Sequence, residues 1–241
     1  MKRAYNLGFA RSLCRAFLSV FDLKAVLTAP PDLSPLPPEP RGLLFIASHQ
    51  GFADYLATLA LVPHPFRFII PGSGISAFPF LESISRKMEN IHLMDKGIQS
   101  PDFGKAENLL RSGENLGIMV PEHSQGLSWL PDELLLASLL ALKSGAPVIP
   151  LASDGATAVL PQGSLLPTVG TIRMAPGQVE FPIQVPDGGI GKGHIFHFAR
   201  ILSRGIQQAR GTLDSPAPAK PEPVSVPPVE PPSETDPPRK G

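Results

Sequence analysis

Cysteine is nearly absent. Cys14, the only one among 241 residues, leaves no partner for an intramolecular disulfide and excludes a cysteine-cluster metal site. Nothing in the composition points to an oxidising compartment. Charge is scarce too. Charged residues make up 17% of the chain, and 21 basic residues balance 21 acidic ones, which disfavours polyanion binding and predicts no nucleic-acid partner. Long hydrophobic runs are missing: the most apolar stretch, 134–142, is bounded by Asp132, Glu133 and Lys143 and falls short of the roughly 18 residues a membrane span needs. A signal peptide is not expected, because Arg11 and Arg15 interrupt the N-terminal apolar stretch. What is present is length for one domain of about 200 residues with tails, and 42% hydrophobic residues to fill its core.

Proline is the abundant residue, 30 in all, and it is clustered. Ten prolines fall within 216–238 against a Glu, Ser, Val and Lys background, so 214–241 reads as a disordered tail that lacks apolar surface to offset ordering. Six more lie between Pro30 and Pro40 and mark 29–41 as a stiff linker. Ahead of it, Leu7, Ala10, Leu13, Cys14, Phe17, Val20 and Phe21 recur at helical spacing, with Arg11, Ser12, Arg15, Ser19 and Asp22 on the other side. Five bases and one acid in 1–24 make this start basic on a neutral chain. Residues 1–28 are thus expected to form an amphipathic helix. It either lies on an anionic membrane surface or packs on its own domain, and the two are compatible. The expected location is peripheral (monotopic) on the cytoplasmic membrane face.

Residues 42–213 alternate short apolar runs with helical stretches. Strands are expected at Leu43–Ala47, Phe66–Ile70, Ile91–Met94, Gly117–Val120, Val148–Leu151, Thr171–Met174 and Val179–Ile183. Helices are expected at Phe52–Val62, Pro79–Met88, Phe103–Ser112, Pro131–Ser144 and Gly193–Gly211. Runs such as LLFIA and LGIMV are apolar at every position, as strands buried on both faces require. The fold class is α/β: one domain with a mixed, largely parallel central sheet of about seven strands flanked by helices and preceded by the amphipathic helix. Sites in such sheets lie at the carboxyl ends of strands.

Just past the first of these strands come Ser48, His49, Gln50, Gly51, Phe52, Ala53 and Asp54. A histidine at a helix entrance can fold back onto a carboxylate five residues on, which takes the proton of one ring nitrogen and leaves the other as a base. Alone the pattern is weak. Chance supplies about one such match per four chains of this composition, and a capping Asp beside a strand-end His is the plainer reading. A second polar strand end follows LGIMV: Pro121, Glu122, His123, Ser124, Gln125 and Gly126. A third, Met94-Asp95-Lys96-Gly97, offers a cation, and Gly145 to Leu151 runs into an apolar strand.

In order and spacing these four segments resemble the motifs of the glycerolipid acyltransferase family, the PlsC-like lysophospholipid acyltransferases. Ser48–Asp54 resembles the Asn-His-x-x-x-x-Asp motif, Met94–Gly97 the Ile-Asp-Arg motif, Val120–Gly126 the Phe-Pro-Glu-Gly-Thr-Arg motif, and Gly145–Leu151 the closing Val-Pro-Ile-Val-Pro motif. The resemblance implies that His49 is the general base activating an acceptor hydroxyl, with Asp54 orienting it. The hydroxyl then attacks the thioester of acyl-CoA or acyl-carrier protein, and no metal or other cofactor takes part. Lys96, Glu122, His123, Ser124 and Gln125 fall where the family binds the acceptor, a membrane lipid.

The chain departs from the pattern where the family binds phosphate. Lys96 and Gln125 stand at positions usually held by Arg, and His123 replaces a Gly. Arg grips phosphate as a bidentate fork, Lys offers a point charge and Gln none. An acceptor other than lysophosphatidic acid is therefore expected, with a zwitterionic, sugar or amino-acid head, or another alcohol or amine. Alternatively, Arg86 and Lys87 supply the phosphate contacts. Two other functions stay open: a lipid-binding protein of little or no activity, and a hydrolase or thioesterase using Ser124. The latter lacks the glycine that a nucleophile elbow places two residues before its serine. His64, His92 and Cys14 take structural readings, Trp129 reads equally as a membrane-interface anchor or as core packing, and His194 with His197 reads as a surface pair despite a spacing metals use.

Overall fold

A computed structural model of the chain describes residues 2–36, 42–62, 66–71, 91–93, 101–122, 130–161, 164, 166–185 and 189–214. The apolar runs form the strands of one sheet. These are β1 (Leu23–Leu27), β2 (Leu44–His49), β3 (Arg67–Pro71), β4 (Ile91–Leu93), β5 (Leu116–Pro121), β6 (Val148–Asp154) and β7 (Gly170–Pro176), in the order β1-β7-β6-β2-β5-β3-β4. All pairs are parallel except β6 with β7. The helices are α1 (Lys2–Val20), α2 (Phe52–Leu61), α3 (Pro101–Arg111), α4 (Asp132–Ser144), the single turn α5 (Ala156–Val159) and α6 (Lys192–Asp214). The expected helix at Pro79–Met88, the linker residues 37–41 and the tail from 215 onward lie outside the described residues.

Both faces of the sheet are covered, which is why its central strands are apolar at every position. On one face Leu44, Ile46, Leu116, Ile118 and Val148 meet α3, α4 and α6 through Leu110, Leu140, Phe198 and Leu202. On the other, Phe45, Ala47, Met119, Ile149 and Leu151 meet α1, α2 and α5 through Leu18, Ala57 and Val159. Successive residues of β2 serve opposite cores, as a period of two dictates. Phe45, Phe66 and Phe68 pack as a cluster with ring centroids 5.5 and 5.0 Å apart. α4 begins with Asp132 and Glu133, ends with Lys143, and stops at Gly145 in the left-handed region (φ 71°).

Two elements differ from the sequence expectation. The N-terminal helix stops at Val20, where Asp22 adopts φ 50°, and Leu23–Leu27 joins the sheet as an edge strand beside β7. Leu23 is buried while Lys24 and Val26 are exposed, the alternation of a strand covered on one face. Residues 2–28 are therefore built into the α/β unit instead of preceding it. Cys14 and Leu18 are buried in its core, and the Nε groups of Arg11 and Arg15 both donate to the carbonyl of Ala60 in the last turn of α2, at 3.3 and 3.2 Å. Two cations thus meet the negative end of a helix dipole. The second difference is Val179–Ile183, which makes only an isolated bridge of Glu180 to Val148. Pro176 ends β7 and Pro182 lacks an N–H to continue a ladder.

Candidate active site

β6, β2 and β5 are neighbours running in one direction, so their carboxyl ends open on a common edge. His49 ends β2. Its carbonyl accepts the N–H of Glu122 at 3.0 Å, one residue beyond its register partner Pro121. The segments around His49 and Glu122, far apart in sequence, are thus joined through the backbone. On the other flank, Ser153 N–H donates to Ser48 Oγ at 3.1 Å and the Ser153 hydroxyl donates to Ser48 O at 2.8 Å. Both serines are buried, and this pair locks β6 to β2 one residue before His49.

Asp54 sits in the first turn of α2 and folds back over its start. Its Oδ2 accepts the N–H groups of Gln50 (2.8 Å) and Gly51 (3.1 Å), which caps the helix with a carboxylate where the dipole favours one. The plain capping reading of Asp54 is therefore correct for one oxygen. The other, Oδ1, is buried with no hydrogen-bond partner among the described residues, and so is His49 Nδ1. Such groups are rare in folded proteins and call for a reason. The two are complementary: an N–H on Nδ1 directed at Oδ1 satisfies both and leaves Nε2 with its lone pair. No hydrogen bond joins them in this structure, and catalytic hydrogen bonds often close only when substrate is bound.

Burial holds His49 below the ordinary histidine range, partly opposed by the carboxylate of Glu133 in α4, so the ring is neutral at pH 7. Burial pushes Asp54 above the ordinary carboxylate range. The Gln50 N–H bond, the nearby dipole of the Ser153 hydroxyl (whose proton goes to Ser48 O) and the Gly51 N–H bond oppose that rise, and the negative charge of Glu122 adds to it. Tyr55 forms a wall: its ring centroid is 5.6 Å from that of His49, and it packs edge-on to Phe68 at 5.2 Å. Burial, then Glu133 and Asp54, push its hydroxyl up to about 12, so Tyr55 stays un-ionised at neutral pH.

Glu122 is held from two sides. Gln50 Nε2 donates to its Oε2 at 2.6 Å, and the Gln50 amide oxygen accepts from Thr157 Oγ1 at 3.4 Å. Arg210, near the end of α6, grips both carboxylate oxygens: one guanidinium nitrogen pairs with Oε1, and Nη2 donates to Oε2 at 2.7 Å. The same Nη2 donates to Ser153 O at 2.9 Å.

The structure thus gathers His49, Asp54 and Glu122 at one sheet edge. Lys96, His123, Ser124 and Gln125 lie outside the described residues, as do His64, Arg86, Lys87 and Trp129. Arg210, Gln50, Ser153 and Tyr55 join the site without having been singled out in the sequence. Gln50 and Tyr55 lie inside or beside the first motif, where a full reading of its turn finds them. Arg210 carries no such signal, since its partner is 88 residues away. His194 Nδ1 accepts the N–H of Gly191 at 3.1 Å and so serves the start of α6. Among the described residues no group of three or more His, Cys, Asp or Glu suited to a metal ion occurs. A groove of about 400 Å³ lined by Arg15, Leu18, Asp22, Leu23 and Leu61 is lined by none of these site residues.

No family model matches the chain, and no curated protein does. Among solved structures, the chain is similar to the 1-acyl-sn-glycerophosphate (LPA) acyltransferase PlsC from Thermotoga maritima. The TM-score is 0.59 over 86% of this chain and 81% of that one, at 18% sequence identity. The chain has the α/β fold of that acyltransferase.

Proposed function

We propose that the protein is an acyltransferase that moves a fatty acyl group from acyl-CoA or acyl-carrier protein to a hydroxyl of a lysolipid held at a membrane surface. One observation carries the reading. A neutral, half-buried histidine and a buried carboxylate, each with one unpartnered polar atom, stand at the carboxyl end of the central strand in an acyltransferase fold. His49 Nε2 takes the proton of the acceptor hydroxyl while Asp54 Oδ1 accepts a hydrogen bond from Nδ1–H and stabilises the imidazolium that forms. The oxygen attacks the thioester carbonyl carbon, the new C–O ester bond forms, and the C–S bond breaks. The departing thiolate takes the proton back from His49. Every proton is accounted for without a metal or a covalent acyl-enzyme.

Lys96, Ser124, His123 and Gln125 complete the acceptor site in this reading, beside Glu122. An acceptor whose head group is not a phosphate monoester fits the loss of the usual arginines. No described helix is long and apolar enough to cross a membrane. In this reading the contact with the lipid is one-sided, through α1 on the cytoplasmic face. The test offers wild type and His49→Ala oleoyl-CoA, or an acylated carrier protein, with lysolipids of anionic, zwitterionic and sugar head groups. Acylated product and free thiol are both measured. Transfer by wild type that His49→Ala loses is the expected result. Thiol release without acylated product would make the protein a thioesterase, and no turnover with any donor would leave a lipid-binding protein.

A further inference from the structure

Arg210 is the one residue of the site that comes from the far end of the chain. It reaches the strand ends because α6 lies unusually close to the sheet. A Cβ on Gly205 would stand 2.7 Å from Pro150 Cγ, and one on Gly177 would stand 2.9 Å from the Gly205 carbonyl oxygen. Only glycine admits that approach. Five residues on, Arg210 passes over the end of β6, takes the Ser153 carbonyl, and ends on both oxygens of Glu122. Glu122 in turn holds the side chain of Gln50, whose backbone N–H holds Asp54. One guanidinium therefore ties the carboxyl ends of β5 and β6 to the turn that carries the His49–Asp54 pair.

We infer that Arg210 is a positioning residue of the acyl-transfer site, fixing Glu122 and the His49–Asp54 turn and neutralising Glu122 beside the base. This rests on the acyltransferase reading above. Among the described residues the groups involved are Asp54 and Tyr55 from α2, Glu133 from α4, Glu122 after β5, and Asp154 of β6, itself paired with Arg173 of β7 at 2.7 Å. The Glu122 charge already favours the protonated form of Asp54. Without Arg210 it stands uncompensated, and in this inference its effect extends to His49, whose carbonyl the Glu122 N–H holds.

The test uses the full-length protein. In Arg210→Met, kcat/KM for oleoyl transfer to the best acceptor of the panel falls about ten- to a hundredfold, the scale of a misplaced reacting group, and the acidic limb of the pH–rate profile moves to higher pH. Arg210→Lys keeps the charge without the fork and recovers part of the rate. Arg210→Met combined with Glu122→Gln returns the acidic limb to its wild-type position, because the uncompensated charge is gone. A purely structural role predicts no such return. The titration of His49, followed by NMR of histidine-labelled protein and assigned with His49→Ala, gives the same comparison without turnover. It also decides the case if Arg210→Met is too unstable to assay, with Arg210→Lys and the double variant in its place. An unmoved His49 titration, or wild-type kinetics in Arg210→Met, overturns the inference while leaving His49 as base. Wild-type transfer by His49→Ala instead overturns the acyltransferase reading itself.

Discussion

Asp54 has two separable tasks, and Asp54→Asn separates them. One oxygen caps α2 through Gln50 and Gly51, and the other is buried with no hydrogen-bond partner among the described residues. An asparagine keeps the capping oxygen and replaces the free one with NH2. That group donates to His49 Nδ1, pins the imidazole in the wrong tautomer and removes the lone pair on Nε2. The loss of transfer is expected to be about 10³–10⁴-fold, as in other His–Asp pairs so treated. Stability should move the other way. Burial raises the Asp54 pKa, so its ionised form is disfavoured in the fold. What it contributes to stability is fully present below the ordinary value of 3.8 and is lost as pH rises through the folded value. A neutral amide escapes that loss, and at pH 7 Asp54→Asn should melt at or above wild type. Asp54→Ala is the control: it strips the acceptor from two N–H groups, at about 1–3 kcal/mol each. It should melt about 4–24 °C below Asp54→Asn. Differential scanning calorimetry beside the transfer assay reads both. Near-normal turnover in Asp54→Asn, or melting as low as Asp54→Ala, would refute the two-task account.

Transfer should fall on acidification with a midpoint below the ordinary histidine value of 6.5, because burial, against Glu133, keeps His49 neutral to lower pH; a midpoint above 6.5 in the kcat/KM profile contradicts this. The linked stability has the same sign, present above 6.5 and lost as pH falls through the folded value. Gly205→Ala drives a methyl onto Pro150 and should destabilise by about 1–3 kcal/mol by urea titration. It should also lower transfer by lifting Arg210, and full activity in a destabilised Gly205→Ala would uncouple that packing from the site.

How far the sequence discloses this fold depends on what each segment is buried against. β2 and β5 are legible because both of their faces are covered, and each residue of LLFIA has to be apolar for one core or the other. β1 is hidden because it has a single buried face and follows a helix without a Gly or Pro to mark the break. Asp22 makes that break by a left-handed conformation that its identity permits but does not announce. Val179–Ile183 has the composition of a strand, yet Pro176 before it and Pro182 within it limit its pairing to the single bridge at Glu180. The site divides the same way. His49 and Asp54 are separated by one turn, so spacing alone brings them together. The bond of Arg210 to Glu122 depends on where α6 crosses the sheet, which Gly205, Pro150 and Gly177 decide together. On α6 itself Arg210 is one of several polar residues on a helix face.

The charge pattern at the strand ends also bears on the acceptor. The sequence resemblance puts Gln125 where an arginine usually binds phosphate, and the arginine that reaches this edge among the described residues, Arg210, is committed to Glu122. A phosphate monoester seeking Arg210 has to break a bidentate, partly buried pair and then sit beside the carboxylate it displaced. A zwitterionic or uncharged head group needs no such exchange. Glu122→Gln tests the argument, because it removes the competing carboxylate and leaves Arg210 free for an anion. Overall turnover should drop, since Glu122 also holds Gln50. The ratio of turnover with lysophosphatidic acid to that with lysophosphatidylcholine should rise, by about tenfold if one charge-assisted hydrogen bond is gained. An unchanged or smaller ratio would mean that Arg210 does not face the acceptor and that the phosphate specificity of this site is set by other residues.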